Sequence, residues 1–182
     1  MFQAALKAGV SVNQINNYGQ TPLVLAIDLN LTWFVKALFQ AGAPVNKSAT
    51  YDAHSTTSDD LLARAARIGN LEIVDILLEA GVNLDNVANV YDQGTALHLA
   101  VENERHDLVL VLLAVGAKTE VRDRYKRTQL HLAVKIGNIE LVRILLTAGA
   151  NPGAKDENDE TPLDLAESYH RADIIEALRQ AK

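Results

Sequence analysis

Apolar residues in this chain come in paired bursts at helical spacing, each pair opened by a hydroxyl or acidic residue and closed by a glycine. Thr21, Thr95, Thr128 and Thr161, with Asp60 in a fifth place, are residues that cap a helix by accepting from an orphan N–H of its first turn. Pro22 and Pro162 follow at the first helical position, where a missing N–H costs nothing. The first burst is short, and its small residues Ala26, Ala65, Ala100, Ala133 and Ala166 let a neighbouring helix approach. Gly69 and Gly137 turn the chain into a second helix, whose apolar pairs are typified by Ile73, Val74, Leu77 and Leu78. Gly9, Gly42, Gly81, Gly116 and Gly149 then suit a left-handed C-terminal cap. After each of them a polar segment reaches out as a hairpin finger to the next cap.

The unit recurs. Thr95 to Thr128 is 33 residues, and Thr128 to Thr161 is 33 again. The clearest copy reads TQLHLAVKIGNIELVRILLTAG, and its sisters open TPLVLA, DLLARA, TALHLA and TPLDLA. A fixed period of this size marks units that cannot bury their apolar faces alone and must stack. The period and the T-P-L-H-x-A phrase resemble the ankyrin repeat family over nearly the whole chain. The resemblance implies an all-α solenoid of stacked helix-turn-helix units with protruding fingers. It forms a single domain over 1–182, with a half-repeat at 1–13 and repeats starting near 21, 60, 95, 128 and 161.

Departures from the period carry information too. Asp60 lies 39 residues after Thr21, so the finger NKSATYDAHSTTSDD is long and has loop chemistry. Lys126 and Asp159 stand where the family has Gly, two residues before the cap; either Lys126 keeps the left-handed conformation for the use of its side chain, or the finger conformation differs, which is the expectation adopted. Arg179 replaces the Leu or Phe of earlier copies and closes the stack with a polar end. At the other end the first helix of the half-repeat is missing, so the chain reads as a piece of a longer array.

A hydrophobic content of 48% suffices for a sizeable core, and a net charge of −6 argues against nucleic acid or anionic membrane as the main partner. Cys is absent, which removes disulfides, thiolate metal sites and a thiol nucleophile. Charges interrupt every apolar run before it reaches membrane-spanning length, so no membrane insertion is expected. A cytoplasmic or nuclear location fits, or a host cytosol if the chain is a bacterial effector.

Candidate chemistry is sparse. His98 and His131 occupy the family's TPLH position, and the resemblance implies a structural role, bonding across finger backbones. His54 with Asp52, Asp59 and Asp60 is the one cluster that could attract a metal, but a solvated loop is the reading adopted, so no metal, cofactor or catalytic residue is assigned. The chain is therefore expected to be no enzyme. Basic Arg122 and Arg124 on one finger face an acidic Asp156–Glu160 finger; either the two compensate each other or the first docks an acidic partner.

Aromatic placement points further. Tyr18, Tyr91 and Tyr125 each fall three or four residues before a cap, and Tyr51 sits on the long finger, as interface anchors would. Leu29, Ile68, Ile136 and Tyr169, with Asn103 in the middle copy, end the first helices at the place that faces the groove in the family. Trp33 stands where other copies have Glu or Asp, so it either lies on the outer surface or covers the half-repeat, and covering is the expectation adopted. The reading is a monomeric scaffold that binds a partner protein or peptide through finger tips and groove. End-to-end association is open through the half-repeat. The alternative is a regulatory or targeting region of a larger enzyme or channel.

Overall fold

The computed structural model describes residues 11–45, 61–87 and 94–181. Every regular element among the described residues is an α-helix, so the expected all-α class holds. The chain divides into two compact units, Met1–Asn83 and Leu84–Lys182.

In the first unit, α1 (Pro22–Asp28) and α2 (Thr32–Gln40) form one antiparallel pair, and α3 (Leu61–Ile68) and α4 (Leu71–Glu79) form the next. The second unit holds three pairs: α5 (Ala96–Glu102) with α6 (His106–Ala114), α7 (Gln129–Ile136) with α8 (Ile139–Thr147), and α9 (Pro162–Ser168) with α10 (Ala172–Gln180). Within each unit first helices pack on first helices, α1 on α3 and α5 on α7 on α9. Second helices form an outer row, α2 beside α4 and α8 beside α10.

Helices of seven to nine residues are too short to persist alone, so burial has to hold them. Ala26, Ala65, Ala100, Ala133 and Ala166 are fully buried between successive first helices, which is why they are small. Larger residues fill the layer between rows: Ile73 and Leu77 in the first unit, Leu108, Leu112, Leu141 and Leu145 in the second. Thr21 caps α1 by accepting from the Val24 N–H at 3.3 Å, with Pro22 behind it as expected. Two of the second helices use a different cap: Asn70 accepts from Ile73 N–H and Asn138 from Leu141 N–H.

One residue past the C-cap, Gly42, Gly81, Gly116 and Gly149 all have φ between 74° and 94°, and a Cβ at any of them would touch nothing. Backbone conformation rather than space therefore demands glycine there. Arg179 lies exposed at the polar end and donates to Glu167 at 2.8 Å. Trp33 is 66% exposed and pairs with Phe34, so it belongs to the outer surface rather than covering the half-repeat. This is the outer-surface alternative that the acidic counterparts in other copies indicate: the position points away from the layer that α2 buries through Val35 and Leu38. The long finger's 46–60 segment lies outside the described residues.

Replacing fully buried Leu145 by Ala should cost about 2–5 kcal/mol through lost transfer energy and a residual cavity. Thr147→Ala, exposed two residues on in the same helix, should change stability by no more than about 0.5 kcal/mol. Urea unfolding of both variants checks the contrast, and equal losses would mean that the layer between rows is not close-packed.

Candidate partner-binding surface

The fingers of the second unit are held by buried imidazoles. Thr95 N–H donates to His98 Nδ1 at 3.1 Å, so that nitrogen carries a lone pair and Nε2–H donates to the Arg127 carbonyl at 3.3 Å. One repeat later Thr128 N–H donates to His131 Nδ1 at 3.1 Å, and its Nε2–H donates to the Glu160 carbonyl at 3.2 Å. Each ring thus ties the cap of its own helix to the end of the following finger. Gly94 leaves room for this, since a Cβ there would lie 2.7 Å from the Cβ of His98. Burial pushes His98 down to about 4, and desolvation lowers His131 as well. In the last pair Asp164 takes the histidine's place and accepts from the Thr161 N–H and hydroxyl at 2.8 and 2.6 Å.

The finger tips repeat one local motif. A side-chain oxygen accepts from the N–H groups two and four residues on: Asn16 from Tyr18 and Gln20, Asp123 from Tyr125 and Arg127, Asp156 from Asn158 and Glu160. The residue three positions on is left-handed in each, Gly19 at φ 73°, Lys126 at 56° and Asp159 at 63°. A changed finger conformation at Lys126 and Asp159 is therefore not what the chain adopts. The side-chain cradle imposes the left-handed turn on residues with a Cβ.

Neighbouring fingers in the second unit are joined mainly through backbone. Lys118 N–H donates to Asp85 at 2.9 Å, Asn151 N–H to Glu120 at 2.8 Å, and the Arg122 guanidinium to the Lys155 carbonyl at 2.8 Å. Ion pairs run across fingers, Lys118 with Asp85 at 3.2 Å, as well as inside one, Arg127 with Asp123 at 2.6 Å and Lys155 with Asp159 at 3.9 Å. The basic and acidic fingers are thus linked, but through carbonyls and amides more than through opposed charges.

Tyr18 is exposed at its tip in the first unit. Tyr125 is half-buried, with the Arg124 and Arg127 guanidinium carbons over its ring at 4.6 and 4.5 Å. Arg122 and Arg124 are exposed. Leu29 is exposed, Ile68 and Ile136 are half-buried, and Tyr169 is 46% exposed. Tyr51 and Tyr91 lie outside the described residues.

Two of these residues meet. A cleft of about 320 Å³ opens between the fingers and the first helices of the second unit, with Tyr125 on one wall and Tyr169 on another. Leu165 and Lys135 line its helical side, and Glu157 and Glu160 its finger side. Among the described residues the side chains of Lys135, Glu157 and Glu160 have no ion-pair or hydrogen-bond partner. Sequence reasoning missed Lys135 and Leu165. Leu165 is four residues before Tyr169 on the same helical face, so the register alone could have found it.

Comparison with known proteins agrees with this architecture. The profile described as ankyrin repeats in three copies matches residues 48–123 and 107–182. The chain belongs to the ankyrin repeat family. Among its relatives, a putative ankyrin repeat-containing protein of Treponema pallidum (strain Nichols) is 37% identical over 119 residues, covering 65% of this chain and 38% of that protein. The human B-cell lymphoma 3 protein is 34% identical over 119 residues, 64% of this chain and 25% of that protein. A probable E3 ubiquitin-protein ligase of Oryza sativa subsp. japonica is 39% identical over 67 residues, 37% of this chain and 15% of that protein. The ankyrin chain thus spans well under half the length of each of these relatives. Among the described residues no helix is long and apolar enough to cross a membrane.

Two outcomes follow from the geometry. His98 resists protonation when folded, so its contribution is complete above pH 6.5 and lost as pH falls toward 4, where the unfolded chain binds the extra proton. That loss amounts to roughly 3 kcal/mol, with His131 adding in the same direction. Denaturant unfolding at stepped pH should show this slope, and His98→Gln should flatten it while lowering stability at neutral pH; an unchanged slope would contradict the tie. Lys126→Gly should stabilise the finger by about 1 kcal/mol by relieving the left-handed lysine. A loss on thermal melting would show instead that the lysine side chain holds the tip.

Proposed function

We propose that this ankyrin module recognises a partner protein or peptide across its fingers and the adjoining first-helix groove, and performs no chemistry itself. The observation that carries the reading is the cleft where Tyr125 and Tyr169 converge beside three unpartnered charged side chains. Two aromatic rings with polar tips, set in a concave place on tied backbone, suit the anchoring of a partner residue. The buried imidazoles are already occupied by finger carbonyls, which supports a structural rather than a chemical role for them. Arg122, Arg124 and Ile136 belong to this proposed face in the second unit, and Tyr18, Leu29 and Ile68 are proposed as contacts within the first unit; Tyr51 and Tyr91 are proposed as anchors from the sequence alone.

A second reading has its own support. Relatives in rice are named as ubiquitin ligases, and this chain matches only 15% of one of them. On that reading the repeats select a target for a catalytic region elsewhere in a larger protein. Both readings place recognition on this surface.

Affinity capture followed by mass spectrometry identifies the partner, and titration with the purified partner then tests the face. Tyr125→Ala with Tyr169→Ala should weaken binding at least about tenfold, since truncated aromatic anchors cost ~2 kcal/mol or more. Glu72→Lys with Glu140→Lys, on the outer helices, should leave affinity nearly unchanged. The reverse pattern would remove the fingers and groove from the interface.

A further inference from the structure

Two neighbouring finger tips in the second unit share one backbone and oppose each other in charge. Residues 122–127 and 155–160 are 33 positions apart, with the same carboxylate cradle at Asp123 and Asp156 and the same left-handed place at Lys126 and Asp159. At three matched positions the sign inverts: Arg124 becomes Glu157, Lys126 becomes Asp159 and Arg127 becomes Glu160. The first tip thus carries four cations and one acid, the second one cation and four acids. Lys135, on the first helix that follows the basic tip, adds a cation to that repeat, while Ser168 holds the matching place in the acidic one.

These charges do not cancel each other across the seam. The Glu157 N–H donates to the Tyr125 carbonyl at 3.0 Å and the Arg122 guanidinium to the Lys155 carbonyl, so backbone groups fill the join. Among the described residues no ion pair links the two tips: Arg127 turns inward to Asp123, and Lys155 stands 3.9 Å from Asp159 on its own finger. The cleft beneath has the same polarity, with Lys135 on its helical wall and Glu157 and Glu160 on its finger wall. Unlike charges held apart in this way leave an attraction that a bridging partner can take up.

A partner of a single sign is poorly matched. Acidic side chains drawn to Arg122, Arg124 and Lys135 also meet Glu157 and Glu160, and basic ones meet the reverse. The same acids disfavour nucleic acid and anionic lipid. A cleft of about 320 Å³ lies at the small end of the ~300–1,000 Å³ usual for ligand pockets, which suits a few side chains of a segment.

We propose that the segment bound at the Tyr125–Tyr169 cleft is bipolar: a short peptide stretch with acidic side chains beside Arg122, Arg124 and Lys135, and basic side chains next to them, on Glu157 and Glu160. This names a partner class for the finger-and-groove face and rests on that reading. Charge order fixes where along the stack the segment lies, and the two tyrosines anchor it there.

The test uses the full chain and labelled synthetic peptides of one length, read by fluorescence anisotropy at low ionic strength, where surface charges are least screened. One peptide has a block of glutamates followed by a block of lysines, and a second has the same residues alternating. The block peptide should bind saturably and at least about fivefold tighter than the alternating one. Exchanging the charges, Lys135→Glu with Glu157→Lys, leaves the net charge of the chain at −6 but mixes the signs on both repeats, and should remove that preference. Both positions are exposed, so the thermal melt should not move. Lys135→Gln with Glu157→Gln, which is also neutral in net charge, should weaken the block peptide about threefold and serves where the exchange disturbs the fold. Equal affinity for the two peptides overturns the proposal, as does no binding, or block-peptide binding that neither variant alters. Tighter binding of an all-Glu or all-Lys peptide that these variants weaken would overturn it in favour of a partner of one sign. Tyr125→Ala with Tyr169→Ala, titrated with the captured partner, reads the face itself. If that variant weakens the partner while the block peptide shows no preference, the polarity falls and the finger-and-groove reading stands.

Discussion

Two neutral rings, His98 and His131, are the joints on which the second unit depends. Each accepts from the cap of its own first helix and donates to the carbonyl that ends the next finger, so one side chain fixes two segments 29 residues apart. The helices are short enough that burial against the next pair must hold them, and that burial needs the fingers to return the chain at a fixed spacing. A charged ring could not sit there, because Nδ1 would then present a proton to the Thr N–H. Burial enforces the neutral form, and the neutral form sets the geometry.

What the joints position in the second unit is a pair of finger tips with a common construction: Asp123 and Asp156 each gather two backbone N–H groups and force a left-handed residue three places on, as Asn16 does within the first unit. A tip built in this way holds its side chains on short, cross-braced backbone, which lowers the ordering that binding would require. Tyr125 is stiffened further by the guanidinium groups over its ring. In the second unit the proposed recognition face is thus organised before any partner arrives, and sequence differences between tips could alter what is bound without altering the stack.

The architecture was legible because spacing and caps are local signals. Thr95 and Thr128 open helices, Gly116 and Gly149 close them, and the 33-residue step between copies needs no tertiary information to be seen. The convergence of Tyr125 with Tyr169 was only half legible, since each residue was picked from its own register while their meeting depends on how a finger folds back over a helix. The left-handed Lys126 was misjudged because propensity argues against it, while the Asp123 cradle that overrides propensity acts through contacts three residues away. Trp33 was misplaced for another reason: its register pointed outward, but the apolar surface expected beside the half-repeat was given more weight. The need for Gly94 was not legible either, because it comes from the His98 side chain packed against it.

The most direct measurement of this account is the tautomer and exchange of the two imidazoles by nitrogen-15 NMR at neutral pH. The account requires the Nε2–H form at both His98 and His131, with those protons exchanging slowly because finger carbonyls hold them. Rings that are rapidly exchanging, or that carry the proton on Nδ1, would mean that the fingers are not tied to the helices, and the preformed recognition face would fall with them.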